Sequence, residues 1–372
     1  MAVGLGPEFT LTACDWRTPL AIIDTYESCT VIARYNAVST WELVLPTNTD
    51  AAQALLTAAQ PRLLIDADGV FRSGPATRLQ RTVTMEGDLL TINGVDDLAF
   101  LANRLAHPQP GTASPPYSST AADTRVGIAS TLIAGFVDRN AGPGAIAARR
   151  VPDLTVPTPA VLGGNVRMNG AWQNLLDFIV LTAKSQGFGV RVRDLEFQVY
   201  QPTGQATFSI ELGTLASWQS VLEMPTANFV YVGGAGVGTA RVYQQAGKGT
   251  SIAKWGRIEQ FNDQRTSSVP VDLLQSALDS LADLDRPPSV EMGVLDTPQQ
   301  MFLRDWNVGD TATVVIGDET LHDVIVEAEI KLLPNEPPSV KPVLGAAPVE
   351  LTTTRQLRDA RRRIVQIEAA WI

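Results

Sequence analysis

Short runs in which apolar and polar side chains alternate narrow the possible folds of this chain more than any other feature. "FGVRVR", "LEFQVY" and "TFSIEL", between Phe188 and Leu212, change side at nearly every residue. A period of two suits a strand with one dry face and does not suit a helix. These three runs predict a three-stranded meander. Near the start, "FTLTAC", "LAIID", "CTVIAR" and "WELVLP" are β-rich runs separated by turn residues. "RLLIDADGVFRSG" sets Asp68 and Gly69 between two apolar runs, a strong hairpin signal. "TVTMEGDLLTING" and "NFVYVGGAGVGTARVY" predict further hairpins. A longer one, "DTATVVIGDETLHDVIVEAEIKLL", turns near Gly317, Asp318 and Glu319. With 29 Gly and 24 Pro scattered as punctuation, the composition argues against a helix-only architecture.

Helices interrupt this pattern. One is predicted over Asp50–Ala59, stopped by Pro61, and a short one in "VDDLAFLANR". After a Pro- and Ser-rich loop from His107 to Asp123, a helix is expected around Thr124–Arg139. Val126, Ala129, Ile133, Phe136 and Val137 would form its buried face. Another spans about Ala171–Gln186, with Trp172, Leu175, Leu176, Ile179 and Ala183 as its stripe and Gly187 as its stop. Val271–Leu284 is a further helix. A chain of 372 residues, 45% hydrophobic, can bury two or three cores. The expected division is a first β domain over 1–105, a loop-rich helical insertion over 106–187, a second β domain over 188–348, either separate from the others or interleaved with them, and a final helix over 349–372. The fold class is α+β and β-rich.

The last segment differs from the rest. Thr353 and Gln356 can form a capping box, and Leu357, Ala360, Ile364, Ile367 and Trp371 fall on a heptad stripe. Five arginines lie off that stripe, giving Leu351–Ile372 a charge of +3 in a chain of net charge −10. A cationic amphipathic helix ending an acidic protein is expected to dock on its own body or on a neighbour.

The acidic balance, with a pI near 4.8, argues against stable nucleic-acid binding. It is compatible with nucleic acid passing along an acidic wall. The opening residues lack the basic and apolar regions of a signal peptide, and no window reaches the length of a membrane span, so no membrane insertion is expected. Cys14 and Cys29 are the only cysteines, and two buried free thiols are expected rather than a bridge.

Catalytic signatures are weak. His107 and His322 sit in no zinc-binding spacing and are expected on the solvated surface. No nucleophile-elbow motif occurs. "GGAGVGTAR" lacks the third glycine and the following helix of a dinucleotide fingerprint and is read as a glycine-rich hairpin. "AGKGTS" lacks the hydroxyl residue after Lys248 that a phosphate loop requires. Among 39 acidic residues, a carboxylate pair of the glycosidase type carries no information. No cofactor, metal or catalytic residue is assigned.

"KWGRIEQFNDQR", Lys254 to Arg265, holds three cations and two acids beside a tryptophan. Glu259 and Asp263 stand four apart, the spacing of helix neighbours, with Arg257 and Arg265 flanking them. The stretch has neither nucleophile nor histidine. It reads as an ion-paired element, either salt-bridged within its own domain or, since Trp and Arg anchor protein contacts, at an assembly surface. The candidate assembly residues are Trp255, Arg257, Glu259, Asp263 and Arg265, together with Leu357, Ile364, Ile367 and Trp371 of the final helix.

Several of these pieces, taken in order, resemble the baseplate-hub family of siphophage tails, the tail-tip proteins of phages of actinobacteria and related hosts. They are "RYNAVSTWELVLP", "FRSGPATRLQRT" with "INGVDDLAFLANRLAHP", "NLLDFIVLTAKSQGFGVRV" with "LEFQVYQP", "NFVYVGGAGVGTARVY" with "WGRIEQFNDQR", and "DWNVGDTATVVI". Together they cover most of residues 30–345. The resemblance implies a virion structural protein rather than an enzyme, similar to the central hub of contractile tails. It implies two tail-tube-like β-barrel domains per chain. Three chains would then form a ring of six barrels, adapting a sixfold tube to a threefold tip and letting DNA pass. Implied partners are two further copies, the distal tail protein or last tube ring, the C-terminus of the tape-measure protein, and tip or receptor-binding proteins. The implied location is the virion tail tip, after synthesis in the host cytoplasm. The alternatives are a tail-associated peptidoglycan hydrolase and the hub of a phage-derived contractile injection system.

Overall fold

A computed structural model describes residues 8–67, 70–85, 87–117, 119–221, 224–265, 267–284, 289–317 and 319–345. Leu357, Ile364, Ile367 and Trp371, and the final helix expected around them, lie outside the described residues, as do Asp68 and Gly69.

Strands β1 (Phe9–Asp15), β2 (Thr18–Ile22), β3 (Ser28–Arg34) and β4 (Thr40–Pro46) precede helix α1 (Asp50–Thr57). Then come β5 (Pro61–Ala67), β6 (Val70–Val83), β7 (Asp88–Val95) and α2 (Ala99–Ala102). The middle holds β8 (Asp123–Ile128), α3 (Ala129–Asn140), β9 (Asn165–Gly170), α4 (Leu175–Ser185), β10 (Gly189–Arg193) and β11 (Glu196–Tyr200). β12 (Gln205–Ser209), β13 (Leu215–Val221), β14 (Phe229–Gly233), β15 (Tyr243–Gly247), α5 (Gly249–Trp255), β16 (Glu259–Asp263) and α6 (Pro270–Leu284) follow. β17 (Ser289–Val294), β18 (Thr311–Ile316), β19 (Glu319–Leu332) and β20 (Ser339–Gly345) complete the order.

The chain divides into two compact units. One joins the residues up to Trp218 with Glu291–Leu344, and the other contains Gln219–Val290. The first is built on a 13-stranded sheet of order β13-β17-β20-β19-β3-β4-β7-β6-β5-β1-β2, with β18 beside β19 and β12 beside β18. Early and late strands are interleaved, because β3 pairs antiparallel with β19 from Arg34↔Glu327 to Cys29↔Leu332. Two barrels were expected. Among the described residues the strand order runs open from β13 to β2, and no barrel closes. The β-rich character and the predicted hairpins stand. β5 meets β6 at Ala67↔Val70, and β18 meets β19 at Ile316↔Glu319.

Alternation along these strands fills the core. Val31, Ala33, Leu43, Leu45, Leu90 and Ile92 are all nearly or fully buried. Cys14 and Cys29 are buried free thiols, as expected, and burial pushes the Cys29 thiol up to about 12. A buried charged group joins β5, β6 and the segment after β7. Arg62 donates to Asp97 at 2.5 Å, Ser73 also donates to Asp97, and the Arg62 guanidinium sits 4.7 Å from the Trp16 ring centroid.

The middle segment has its own apolar cluster around Ile133, Phe136, Val137, Leu175, Ile179, Phe188, Val190 and Phe197. Five sequence expectations fail here. Thr124–Ile128 is a strand, with β8 paired to β9 from Asp123↔Gly170 to Ile128↔Asn165, so the helix begins only at Ala129. Thr124, Val126 and Ile128 are β-branched at alternate positions, and that preference prevails over the helical spacing. The second helix likewise starts at Leu175, where the Asn174 side chain caps it by accepting the Asp177 N–H at 3.2 Å. Trp172 lies before that cap at φ 70°, 47% exposed, so it is no part of the buried stripe. It packs edge-to-face against His107, ring centroids 4.3 Å apart, and this histidine, expected in solvent, is buried. His322 is exposed, as expected. The predicted meander also splits. β10 and β11 form a separate hairpin, while β12 pairs in parallel with β18, about a hundred residues away.

Candidate functional site

The second unit contains the charged stretch singled out above. Its three-stranded sheet has the order β15-β14-β16, antiparallel on one side and parallel on the other. Alternation assigns the two faces. Val230, Val232 and Ala246 point to one side, where they pack with Leu273, Ala277 and Leu281 of α6. Asn262 donates to Ser280 Oγ at 2.7 Å and Gln264 to Ser276 Oγ at 2.5 Å, tying β16 and the turn after it to the same helix. A Cβ on Gly234 would lie 2.6 Å from both Leu273 Cδ1 and the Ser267 carbonyl oxygen, so this close approach requires glycine.

The opposite face bears Phe229, Tyr231, Tyr243 and Phe261, interleaved with arginines and carboxylates. The sequence spacing suggested helix neighbours for Glu259 and Asp263. They lie instead at the two ends of β16, on the same face because both are an even number of residues apart. Arg257 lies over the Phe229 ring at 3.6 Å from the centroid, donates from Nη2 to the Tyr231 hydroxyl at 2.7 Å, and from Nε to Glu259 at 2.6 Å. That bond to Glu259 holds the Arg257 guanidinium above its ordinary pKa.

A second arginine organises the other end. Arg241 donates to the carbonyl oxygens of Gly233 and Gly234, each at 2.9 Å, and to Asp263. Its guanidinium lies 5.6 Å from the Tyr243 ring centroid and 5.5 Å from that of Phe261. Arg265 adds a 3.0 Å pair to Asp263. A Cβ on Gly233 would sit 2.7 Å from both the Arg241 guanidinium and the Phe261 ring, so the bare backbone there gives the arginine its seat.

Arg257, Glu259, Asp263 and Arg265 are thus brought onto one surface. Trp255 belongs to a helix rather than to this sheet. It ends α5, half-buried, with Lys254 Nζ 5.7 Å from its ring. Five residues of the face escaped the sequence reading: Phe229, Tyr231, Arg241, Tyr243 and Phe261. Their signal was the alternation within "NFVYV" and "EQFND", visible only once the two segments are known to be neighbours. The glycine-rich segment between them enters a short 3-10 turn, Gly238–Ala240, and then strand β15 rather than a helix, consistent with the hairpin reading.

Chemically, this face combines aromatic and cationic groups. It offers aromatic faces, with Phe261 and Tyr243 about half exposed at 52% and 53%, and guanidinium groups pre-set by hydrogen bonds on both sides. Among the described residues no three His, Cys, Asp or Glu side chains converge to hold a metal, and no helix is long and apolar enough to cross a membrane.

Comparison with known proteins gives this architecture relatives. The chain has the fold of a tail protein from Neisseria meningitidis MC58 (TM-score 0.58, 12% identity, 91% of this chain and 96% of that one). It is equally similar to the 43 kDa tail protein of prophage MuSo2 from Shewanella oneidensis (TM-score 0.58, 12% identity, 91% and 98%). Prophage tail protein gp18 from Listeria monocytogenes EGD-e aligns over 95% of this chain and 99% of that one, with TM-score 0.56 and 10% identity. Among curated proteins no sequence matches the chain. The family model described as Siphovirus ReqiPepy6 Gp37-like protein matches residues 16–346, and the chain belongs to that family.

Proposed function

We propose that this protein is a structural hub at the distal end of a siphophage tail. The observation that carries the reading is the family match over residues 16–346, joined to a fold shared with phage tail proteins along nearly their whole length. In this reading three copies form a ring between a sixfold tube and a threefold tip. The distal tail protein or last tube ring adjoins it on one side and tip or receptor-binding proteins on the other, and the tape-measure C-terminus ends against it. A net charge of −10 supports the passage of DNA without retention. The aromatic–arginine face of the second unit is the contact between copies. Its side chains are held in place before association, so little conformational freedom is lost on docking. The final segment, with Leu357, Ile364, Ile367 and Trp371, makes a further contact between copies or on the threefold axis.

The test is the mass of the full-length chain by light scattering across micromolar concentrations. The reading predicts a species three times the 39.9 kDa chain mass. A chain that stays monomeric both alone and in isolated tails contradicts the ring.

A further inference from the structure

The first unit contains a polar cleft of about 350 Å³ whose charge runs against that of the protein as a whole. Five arginines and three aspartates line it, in a chain of net charge −10. Most of these charges already have partners. Arg34 is paired with Glu327 at 2.8 Å, and Arg304 with Asp305 at 2.6 Å. Asp96 accepts the backbone N–H groups of Ser39 and Leu98 at 3.0 and 3.2 Å. Asp310 accepts those of Gly204 and Asn307 at 2.9 and 2.7 Å. Both carboxylates pin loops, and Asp96 also acts electrostatically on Arg72.

Arg72, Arg191 and Arg193 remain. Among the described residues none of the three makes an ion pair. Arg72 reaches only the Asn307 side-chain oxygen, at 3.4 Å. Arg191 donates to Gln198 at 2.9 Å and stacks 4.1 Å from the Tyr200 ring centroid. Among the described residues the Arg193 side chain makes no hydrogen bond. Glu196, its cross-strand partner in the β10–β11 hairpin, accepts instead from Gln198 at 2.8 Å. The hairpin explains the placement. Val190 and Val192 are buried in the apolar cluster, so Arg191 and Arg193 must share the other face and line the cleft. Burial lowers the pKa of all three arginines, and the repulsion of Arg72 and Arg191 lowers Arg193 further, to about 10. Asp96 partly offsets the charge of Arg72, but no carboxylate among the described residues pairs with Arg191 or Arg193, and half-buried guanidinium groups left in that state cost stability unless something neutralises them.

We propose that this cleft is a binding site for a polyvalent oxyanion of the phosphate type, held by Arg72, Arg191 and Arg193. A carboxylate carries one charge, whereas a phosphate group carries up to two and offers three acceptor oxygens, enough to engage three planar guanidinium donors at once. Nothing in the hub reading requires this site, and it stands or falls independently of that reading.

The phosphoryl group could belong to a free phosphate or polyphosphate or to a nucleic-acid end, and calorimetry on the full-length chain separates the two. Tripolyphosphate, a 5′-phosphorylated oligodeoxynucleotide, the same oligonucleotide without the phosphate, and citrate are titrated in turn at low salt. The expected result is saturable binding of one tripolyphosphate per chain, weakened about tenfold or more by Arg193→Gln. Among the described residues the Arg193 side chain makes no hydrogen bond, so this variant should keep the wild-type circular dichroism and melting temperature. Arg191→Gln, expected to weaken binding similarly, serves as the second variant. Binding of the phosphorylated oligonucleotide, lost in the unphosphorylated one and in Arg193→Gln, supports the site with a nucleic-acid source. No saturable binding of either phosphate probe, affinity unchanged in both variants, or citrate binding tighter than tripolyphosphate would overturn the proposal.

Discussion

The guanidinium of Arg257 lies 3.6 Å above the ring centroid of Phe229, and the same arginine holds Tyr231 and Glu259 by hydrogen bonds. One side chain thus joins neighbouring strands of the second unit's sheet on the face that α6 leaves open. Arg257 and Glu259 are exposed, so the pair itself adds little to folding. A contact surface is where such an arrangement has consequences, because desolvation on docking strengthens each of its charge-assisted bonds.

Arg257→Ala is therefore expected to leave the thermal unfolding of the isolated chain unchanged within scatter while weakening self-association about tenfold. Sedimentation equilibrium of wild type and variant checks this. Equal association constants would remove the face from the subunit contact.

Gly234→Ala and Gly233→Ala separate packing from surface order. The added methyl at Gly234 meets the Ser267 backbone and the core side chain of Leu273, neither of which can swing away. A loss of about 1–3 kcal/mol in denaturant unfolding is expected. At Gly233 the obstacles are the Arg241 guanidinium and the Phe261 ring. Both can move, so stability should fall less and self-association more. The reverse order would mean that the α6 side is not the core of this unit.

The strands were legible because alternation is local, whereas their partners were not. β12 reads like the third strand of a meander, yet its register with β18 runs from Gln205↔Thr311 to Ser209↔Val315. That pairing is set by long-range packing, which no window of sequence contains. At the candidate site, the charges of Arg257, Glu259, Asp263 and Arg265 were visible, but the helical spacing of Glu259 and Asp263 misled, since an even separation also places two residues on one face of a strand. Arg241 was hidden inside a glycine-rich run that drew attention for its glycines. His107 was hidden because the aromatic ring packed against it, Trp172, lies 65 positions away and was assigned to a helix.

The buried group Arg62–Asp97–Ser73 predicts a non-additive pair. Asp97→Ala leaves the Arg62 guanidinium buried without its carboxylate, and a loss of about 3–5 kcal/mol is expected. Combining Asp97→Leu with Arg62→Met removes both charges and should cost clearly less than Asp97→Ala. Urea unfolding of the three variants decides. A double variant at least as unstable as Asp97→Ala would show that the ion pair itself is favourable.

Asp96 gives a pH dependence of defined sign. Burial raises its carboxyl from 3.8 to about 6, against the opposing effect of its hydrogen bonds from Ser39. The folded chain then holds this proton at a pH where the unfolded chain has released it. The resulting stabilisation is fully present below about 3.8 and is lost as pH rises through about 6. Asp96→Asn removes the titration. The stability of wild type relative to Asp96→Asn should therefore fall by about 1–3 kcal/mol between pH 4 and pH 7. A difference that stays constant, or grows, across that range would contradict the assignment.

Position in the particle tests the hub reading most directly. Gold-labelled antibody against this protein, applied to intact particles and viewed by electron microscopy, is predicted to mark only the distal tip of the tail. Tails with well-preserved, accessible tips that remain unlabelled, while the protein is found free in the lysate, would contradict it.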